Sequence, residues 1–166
     1  TATVVAYGLE RSFGSFVRGA LVTEEVSHTR DLAKTLREHP EYLKNKPWLE
    51  TVSKQVADMT RTLHDAGFAH NDLKWRNLLV DEGLSPKVYM IDCPFGNHWW
   101  HIFLQYRIVK DLASLDREAK NYLSRSQRLR FYLAYARLGR LNAGCKRQIR
   151  RIARFYDSQR LRHRFR

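Results

Sequence analysis

Polar residues of several chemical types lie close together at positions 70–77, and a further carboxylate follows at position 92. The first group reads His-Asn-Asp-Leu-Lys-Trp-Arg-Asn. An aspartate such as Asp72 can orient a hydroxyl group and accept its hydrogen, and Lys74 would place a cation beside a moving phosphate. Asn77 and Asp92 would offer oxygen ligands to Mg²⁺, which prefers a few protein oxygens together with phosphate oxygens. These residue types therefore indicate transfer of a phosphoryl group to a hydroxyl.

A long helix and a short hairpin would hold these residues in place. Pro47 suits the first turn of a helix, and Gly67 suits the position just after its C-terminus. Between them, apolar residues repeat at spacings of three and four, as on one buried helix face: Leu49, Val52, Val56, Met59, Leu63 and Ala66. Two short strands, 77–80 and 87–91, follow, with a turn that begins at 81–83. Helix, loop and hairpin in this order are typical of protein kinases, and residues 70–77 would be the catalytic loop. His70 would brace this loop rather than react.

The rest of the chain predicts strands first and helices last. Residues 3–7 and 16–24 are predicted to form one hairpin with a turn-like stretch at 8–14, and 29–36 a short helix. From Arg107 onward the pattern is helical, with three apolar stripes: Ile108, Leu112, Leu115, Ala119; Leu129, Tyr132, Leu133, Ala136; and Ile149, Ile152, Ala153, Tyr156. The predicted fold class is therefore α+β.

The most unusual feature of the composition is its excess of positive charge. The 166 residues include 30 Lys and Arg against 17 Asp and Glu, a net charge of +13, so we expect an anionic partner or substrate. Two cysteines, Cys93 and Cys145, form neither a disulfide framework nor a Cys-x-x-Cys pair, which favours a reducing compartment. No apolar run is long enough to span a bilayer, so the protein is expected to be soluble or peripheral to a membrane.

The chain resembles the lipopolysaccharide kinase family, whose members phosphorylate Kdo or heptose sugars of the inner core. The segments that carry the resemblance are 69–80, 88–92, 110–115 and 123–131, and the last, Leu-Ser-Arg-Ser-Gln-Arg-Leu-Arg-Phe, is the most specific. The resemblance implies a protein-kinase-like fold, ATP and Mg²⁺ as cofactors, and Asp72 and Lys74 as catalytic residues. It also implies a cytoplasmic location, which would include the cytoplasmic face of the inner membrane.

The resemblance further implies two parts of unequal size. Residues 1–26 would be the last hairpin and the hinge of a truncated N-terminal lobe, and 27–166 a mostly helical C-terminal lobe with a basic helical tail. Glu24, Glu25 and Val26 would be the hinge that meets adenine through its backbone, although a strand end with two solvated acids explains them equally well. The Gly-rich phosphate loop and the Val-Ala-Ile-Lys-type lysine with its glutamate partner are not found. A small lobe is therefore expected before residue 1, and this segment alone should transfer phosphate poorly.

Several assignments around the metal-binding aspartate stay open on sequence alone. Asp111 could brace the catalytic loop from a later helix, or be an acid in the first turn of that helix. The segment 93–96 replaces the Phe-Gly of protein kinases, so their activation-segment switching is not expected, and Cys93 is expected to be small and buried. An apolar cluster could face the acceptor or, as we favour, pack on the later helices: Trp99, Trp100, Phe103 and Leu104.

The leading hypothesis is an ATP- and Mg²⁺-dependent kinase that phosphorylates an anionic glycolipid, the lipopolysaccharide core. The basic tail, 146–166, could lie on an anionic membrane surface or be a solvated helix end. Rival hypotheses are a kinase with a protein, aminoglycoside or other small-molecule acceptor, since 91–94 is reminiscent of RIO-type kinases, and a pseudokinase binding module. Nucleic acid is not the expected partner, because no recognition motif of the common modules is found. The oligomeric state is not indicated.

Overall fold

A computed structural model describes residues 2–81, 83 and 85–164, and from 158 onward it describes the backbone alone. The strands of this part of the chain are, in order, β1 (Val4–Ser12), β2 (Ser15–Thr23), β3 (Thr29–Asp31), β4 (Phe68–Ala69), β5 (Leu78–Asp81), β6 (Val88–Met90) and β7 (Asn97–His98). The α-helices are α1 (Leu32–Glu38), α2 (Lys46–Asp65), α3 (His101–Tyr122), α4 (Arg125–Ala136) and α5 (Ala143–Arg164). Short 3-10 turns occupy Pro40–Leu43 and Trp75–Asn77.

The first two strands form an antiparallel ribbon that is exposed along its whole length. The predicted hairpin is therefore present, but its turn is much shorter than the expected stretch 8–14. Phe13 and Gly14, with φ of 48° and 80°, reverse the chain, and Gly8 lies inside β1. A two-stranded ribbon on its own is marginally stable in water, and among the described residues this ribbon contributes none of the buried core side chains.

The short helix predicted at 29–36 begins later than the sequence indicated. Thr29 to Asp31 form strand β3, and the Asp31 carboxylate then caps α1 by accepting a hydrogen bond from the Lys34 N–H at 2.8 Å. An aspartate at this position satisfies one of the amide groups that a helix start leaves without a partner. The residues before the cap are free to pair with another strand, and they pair antiparallel with β5.

Strands β3, β5 and β6 make an antiparallel sheet that carries the end of the catalytic loop. Leu78 and Val80 are buried on one face of β5, whereas Leu79 points to the opposite, half-buried face, opposite Tyr89 of β6. This alternation follows from the two-residue period of a strand. The predicted strands 77–80 and 87–91 are thus confirmed to within a residue or two.

Helix α2 joins the sheet to the helices and ends where the catalytic loop begins. Asn45 caps its N-terminus through the Trp48 N–H, and Pro47 lies in the first turn as predicted. Gly67 follows the C-terminus with a left-handed φ of 73°, which glycine adopts without the steric cost that a Cβ would bring. The predicted stripe from Leu49 to Leu63 is the inner face of α2, and it packs with α1, the sheet and the C-terminal half of α3. Ala66, the last predicted member, is instead the exposed C-cap residue.

The last three helices form a second apolar cluster beside the first. Ile108 and Leu112 of α3 meet Tyr132 of α4 and Ile152 and Phe155 of α5. The predicted stripes on α3 and α5 face the two clusters, whereas on α4 the buried residues are Tyr132 and Tyr135, and Leu129 and Leu133 are half-buried. Helix α3 begins at His101 rather than Arg107. The first turn of α3 has neither a side-chain cap nor an acidic residue, so the sequence carries no local signal of this start.

Candidate active site

The catalytic loop places a carboxylate between two cations and an amide. The Asp72 Oδ1 lies 2.5 Å from the Lys74 Nζ, and its Oδ2 lies 3.6 Å from an Arg76 guanidinium nitrogen. The Asn77 side-chain N–H donates to the Asp72 main-chain carbonyl at 2.8 Å and more distantly, at 3.4 Å, to its Oδ2. Three of the residues predicted from sequence, Asp72, Lys74 and Asn77, are thus brought together.

The surroundings of Asp72 keep it ionised. Partial burial of the carboxyl opposes ionisation, but the hydrogen bond and positive charge of Lys74, with help from Asn77 and Arg76, outweigh it and hold the pKa of Asp72 below its usual value. A carboxylate of lowered pKa is a weak base but a fixed acceptor for a hydroxyl hydrogen. The arrangement therefore suits orientation of an acceptor hydroxyl more than full proton abstraction before transfer.

Asp92 is tied to the catalytic loop through the residue before it. The Ile91 N–H donates to the Asn77 carbonyl at 3.0 Å. The His70 Nε2 lies 3.2 Å from the Ile91 carbonyl, and because a carbonyl only accepts, this nitrogen carries the hydrogen. Both backbone polar groups of Ile91 are thereby held, and Asp92 follows in a left-handed conformation with φ of 56°. His70 is buried and acts as the brace that the sequence predicted.

Asp111 anchors the catalytic loop from the middle of α3. Its side chain is 0% exposed, and its two oxygens accept hydrogen bonds from the backbone N–H groups of His70, at 2.8 Å, and Asn71, at 2.9 Å. The His64 Nε2 lies 3.4 Å from the same carboxylate, and its Nδ1 lies 2.8 Å from the Tyr135 hydroxyl. Of the two roles left open for Asp111, the structure supports the brace, because Asp111 lies ten residues after the first residue of α3 and so is not in its first turn.

Asn71 is a positioning residue that the sequence analysis missed. It adopts a left-handed φ of 65°, which asparagine tolerates better than most residues. Its side-chain N–H donates to the Phe95 carbonyl at 2.7 Å, and its Oδ1 accepts from an Arg107 guanidinium nitrogen at 3.4 Å. Asn71 thus links the catalytic loop to the segment after Asp92 and to α3. Only the tolerance of asparagine for positive φ could have drawn attention to it, since its partners are more than twenty residues away.

A second missed residue, Glu118, lies beneath the catalytic loop on α3. Burial raises the pKa of Glu118, while a hydrogen bond with the Trp75 backbone and the charges of Arg117, Arg76 and Lys74 act in the opposite direction. The Glu118 carboxyl therefore lies close enough to the loop to bond the Trp75 backbone and to interact with the charges of Lys74 and Arg76. Nothing in the helical pattern of α3 distinguishes Glu118 from a solvated surface acid.

The predicted hinge occupies the connection between β2 and β3. The Glu24 N–H donates to the Thr3 carbonyl at 2.8 Å, and the Val26 carbonyl accepts from the Thr29 hydroxyl at 2.6 Å. In the described part of the chain, residues 24–26 make no hydrogen bond or ion pair with the catalytic loop. They lead into β3, so the hinge and Asn77 lie toward opposite ends of β5. Their contact with a nucleotide base stays a prediction.

The apolar cluster after Asp92 divides into packed and exposed members. Trp99 and Leu104 are half-buried, and the Arg107 guanidinium lies 4.2 Å from the centre of the Trp99 ring. Trp100 and Phe103 are exposed, so packing, the favoured interpretation, is right for only half of the cluster.

The expectation that Cys93 is buried is wrong. Cys93 is exposed and free, and Cys145 is buried and free. Desolvation of the Cys93 thiol, together with the negative charges of Asp111 and Asp92, raises its pKa, so the thiol is protonated and weakly nucleophilic at neutral pH. Pro94 and Phe95 turn the chain at the surface beside Cys93, while its sulfur lies 3.7 Å from the His70 carbonyl.

The donor set at the loop fits a magnesium ion shared with phosphates better than a site built from protein alone. Among the residues that the structure describes, no three His, Cys, Asp or Glu side chains are grouped to hold a metal. Mg²⁺ in phosphoryl-transfer sites takes only one or two protein oxygens and completes its shell with phosphate and water. The Asn77 amide nitrogen is committed to Asp72, which leaves its carbonyl oxygen as the ligand atom, with the Asp92 carboxylate after the adjoining strand.

The segment most specific to the resemblance has a structural role. Ser124 and Gln127 form a reciprocal cap at the start of α4: the Ser124 hydroxyl accepts from the Gln127 N–H, and the Gln127 side chain accepts from the Ser124 N–H. Arg128 then forms a two-pronged ion pair with Asp116 of α3, at 2.6 and 2.8 Å. These contacts fix α4 against α3 and reach no residue of the catalytic loop.

Comparisons with known proteins identify the family and the fold. The lipopolysaccharide kinase (Kdo/WaaP) family profile matches residues 1–135. No curated protein sequence is significantly similar to the chain. A solved structure of WaaP in complex with acyl carrier protein is 28% identical, with a TM-score of 0.69, over 94% of this chain and 69% of that one. The predicted α+β, protein-kinase-like fold is thereby confirmed, and the chain belongs to the lipopolysaccharide kinase (Kdo/WaaP) family.

Proposed function

We propose that the protein is an ATP- and Mg²⁺-dependent kinase that phosphorylates a sugar hydroxyl of the lipopolysaccharide inner core. The observation that carries the proposal is the Asp72 carboxylate held 2.5 Å from Lys74 and bonded by Asn77, with Asp92 tied to the same loop through Ile91. A carboxylate, a cation and two oxygen ligands in this order are what phosphoryl transfer requires of a protein.

In this mechanism the acceptor oxygen forms a bond to the γ-phosphorus of ATP while the bond from that phosphorus to ADP breaks. Asp72 orients the acceptor hydroxyl and receives its hydrogen as the new bond forms. Lys74 lies against the transferring phosphate, where its positive charge stabilises the charge on the equatorial oxygens. Asn77 and Asp92 would hold Mg²⁺, which neutralises the phosphate charge when bound.

The base of ATP is proposed to lie over the half-buried face of the sheet. Leu79 and Tyr89 are paired on this face, between Asn77 and the hinge formed by Glu24, Glu25 and Val26. A flat apolar floor suits a purine ring, and backbone groups of the hinge would provide its hydrogen bonds. The phosphates would then reach the Asn77 end of β5.

The test is transfer of label from γ-labelled ATP to dephosphorylated lipopolysaccharide core by the complete protein. Asp72→Ala should abolish labelling, and Asp58→Ala, which removes an exposed acid from α2, should leave it unchanged. Absence of core labelling in the wild type would refute the acceptor. ATP turnover with a protein or small-molecule acceptor would then favour the rival kinase hypothesis, and ATP binding without turnover a pseudokinase.

A membrane-peripheral location on the cytoplasmic side is part of the proposal. No helix in the described residues is long and apolar enough to cross a membrane. Helix α5 buries Ile152 and Phe155 and exposes Arg147, Arg151 and Arg154. Helix α5 is therefore half core helix and half basic surface rather than a free tail. Each cation near an anionic bilayer surface contributes about 1 kcal/mol of attraction, so the exposed arginines would hold the protein at such a surface.

A second proposed function is binding of an acyl carrier protein, as in the WaaP complex. A cavity of about 540 Å³ lies between the helices, with mostly apolar walls that include Leu36, Trp48 and Leu115. Its lining also contains the exposed cations Arg125, Lys146 and Arg150. An apolar cavity with a basic rim suits a hydrocarbon chain that is delivered by an anionic carrier.

This second proposal is tested by titrating the protein with carrier protein in acylated and non-acylated forms. Ser53→Phe would fill part of the cavity, whereas Lys54→Phe adds the same ring on the exposed neighbouring position. We expect Ser53→Phe alone to weaken binding of the acylated form. Equal affinity of the wild type for the two forms would contradict a role for the cavity.

A further inference from the structure

Outside the exposed β1–β2 ribbon, the exposed large apolar side chains are concentrated in the segment that follows Asp92. Four of these side chains, three aromatic and one aliphatic, are named the aromatic patch: Phe95, Trp100, Ile102 and Phe103, which are 70, 77, 75 and 63% exposed. Trp100 is the N-cap residue of α3 and Phe103 lies in its first turn, where the Phe103 N–H donates to the Trp100 carbonyl at 3.1 Å. Clustered exposed apolar residues of this kind mark contact surfaces more often than chance exposure does.

The aromatic patch has a rigid base attached to the catalytic loop. Strand β7 pairs with β4, which directly precedes His70, and the Trp99 N–H donates to the Gly67 carbonyl at 2.8 Å. The Phe95 carbonyl accepts from the Asn71 side chain at 2.7 Å. Whatever the patch contacts is therefore held at a fixed position relative to Asp72, two residues further along the chain from His70.

The two adjacent tryptophans, Trp99 and Trp100, differ in their contacts. Trp99 is half-buried beneath the Arg107 guanidinium, which lies 4.2 Å from its ring centre. Trp100 is the N-cap residue of α3, and its side chain makes no capping hydrogen bond. The exposure of Trp100 therefore contributes nothing to the start of the helix, and it needs another explanation.

The charge around the patch indicates what it contacts. The stretch 93–110 contains no Asp or Glu, and its ionisable side chains other than Cys93 and Tyr106 are His98, His101, Arg107 and Lys110. The Tyr106 ring lies 5.6 Å from the Phe155 ring of α5, so the first half of α3 packs on a helix that exposes arginines. Tryptophan and other aromatic residues beside cations are favoured where apolar lipid meets charged headgroups.

We propose that the aromatic patch inserts into the surface of an anionic lipid bilayer and so presents the catalytic loop to an acceptor embedded in that surface. The proposal rests on the function proposed above, since a glycolipid acceptor lies at a membrane. It differs from attraction of the basic helix alone, because insertion of apolar side chains adds a short-range contact that salt does not screen. It also gives a role to Trp100 and Phe103, the exposed half of the cluster, whose exposure is not explained by packing on the later helices.

The experiment measures how much of the complete protein floats together with phosphatidylcholine vesicles. Vesicles that contain phosphatidylglycerol are compared with vesicles that lack it. The Trp100→Ser/Phe103→Ser pair is matched by Tyr7→Ser/Leu21→Ser on the exposed ribbon, where the two side chains are 75 and 64% exposed and face each other across the strands. We expect the first pair to weaken binding to anionic vesicles about tenfold or more, since each aromatic side chain loses its apolar burial, and the second pair to bind like the wild type.

Each other result would overturn the proposal. These are no flotation of the wild type, equal flotation of both double variants, or a loss confined to the ribbon pair. If the first pair fails to fold, quenching of wild-type fluorescence by brominated lipid decides the question, because it should fall when Trp100→Phe removes the inserted indole. Transfer to water-soluble core oligosaccharide should be unaffected by the first pair. A lack of transfer in all proteins would refute the kinase function and leave the flotation result standing.

Discussion

Replacement of Asp111 by asparagine should damage both stability and turnover, since this carboxylate accepts hydrogen bonds from two backbone N–H groups of the catalytic loop, at 2.8 and 2.9 Å, in a fully buried setting. Asparagine keeps one oxygen but turns an NH₂ group toward the other N–H, so one bond is lost and two donors face each other. A hydrogen bond to a charged group contributes about 1.5–3 kcal/mol, and a buried donor without a partner costs about 1–3 kcal/mol. We expect the free energy of unfolding to fall by roughly 3 kcal/mol.

The effect on turnover separates positioning from stability. Loss of the anchor should let the segment containing Asp72 shift, and a displacement of about 1 Å can reduce turnover about a hundredfold. Asp116→Asn is the matched control, because Asp116 lies on the same helix and pairs with Arg128, away from the loop. It should lower the free energy of unfolding by about 1 kcal/mol or less and leave turnover of the folded protein unchanged.

Urea unfolding and single-turnover transfer would be measured on both variants under conditions where each is folded. The reasoning is refuted if Asp111→Asn turns over at the wild-type rate, or if both variants lose turnover to the same degree. In the first case the loop keeps its geometry without the anchor. In the second case the loss reflects general destabilisation of α3 rather than displacement of the catalytic loop.

Three further predictions concern pH, a helix end and a helix start. The pKa of Asp72 is lowered, so its carboxylate should be fully ionised at neutral pH, and the transfer rate should fall only when the pH drops below the usual range of an aspartate. Lys74→Met should move this acid limb of the single-turnover pH profile to higher pH, and an unmoved limb would contradict the assigned cause. Gly67→Ala, at φ of 73°, should lower the free energy of unfolding by about 1 kcal/mol in urea, whereas Gly139→Ala, in open space, should not. Ser124→Ala removes the α4 cap and should cost about 1 kcal/mol by the same measurement; an unchanged midpoint would mean that the cap contributes nothing.

The sequence by itself determined the parts of the site that are local in the chain. Asp72, Lys74 and Asn77 lie within six residues of one another, between a helix whose stop is marked by Gly67 and a hairpin with a two-residue period. Short-range patterns of this kind depend on backbone sterics and on which face is buried, and both can be read without knowing the rest of the fold. The order of these parts, ending in Asp92, was sufficient to predict phosphoryl-transfer chemistry.

Only the tertiary structure decided which distant residues hold that loop. Asp111 is forty residues beyond the loop and, as an aspartate in a helix, resembles a solvated acid until the packing of α3 buries it. Asn71 meets Phe95 and Arg107 for the same reason, and the unmarked start of α3 decides that Trp100 is exposed while Trp99 is covered. Such contacts depend on how whole helices are placed against each other, and that placement is set by the summed apolar packing of the two cores rather than by any local sequence signal.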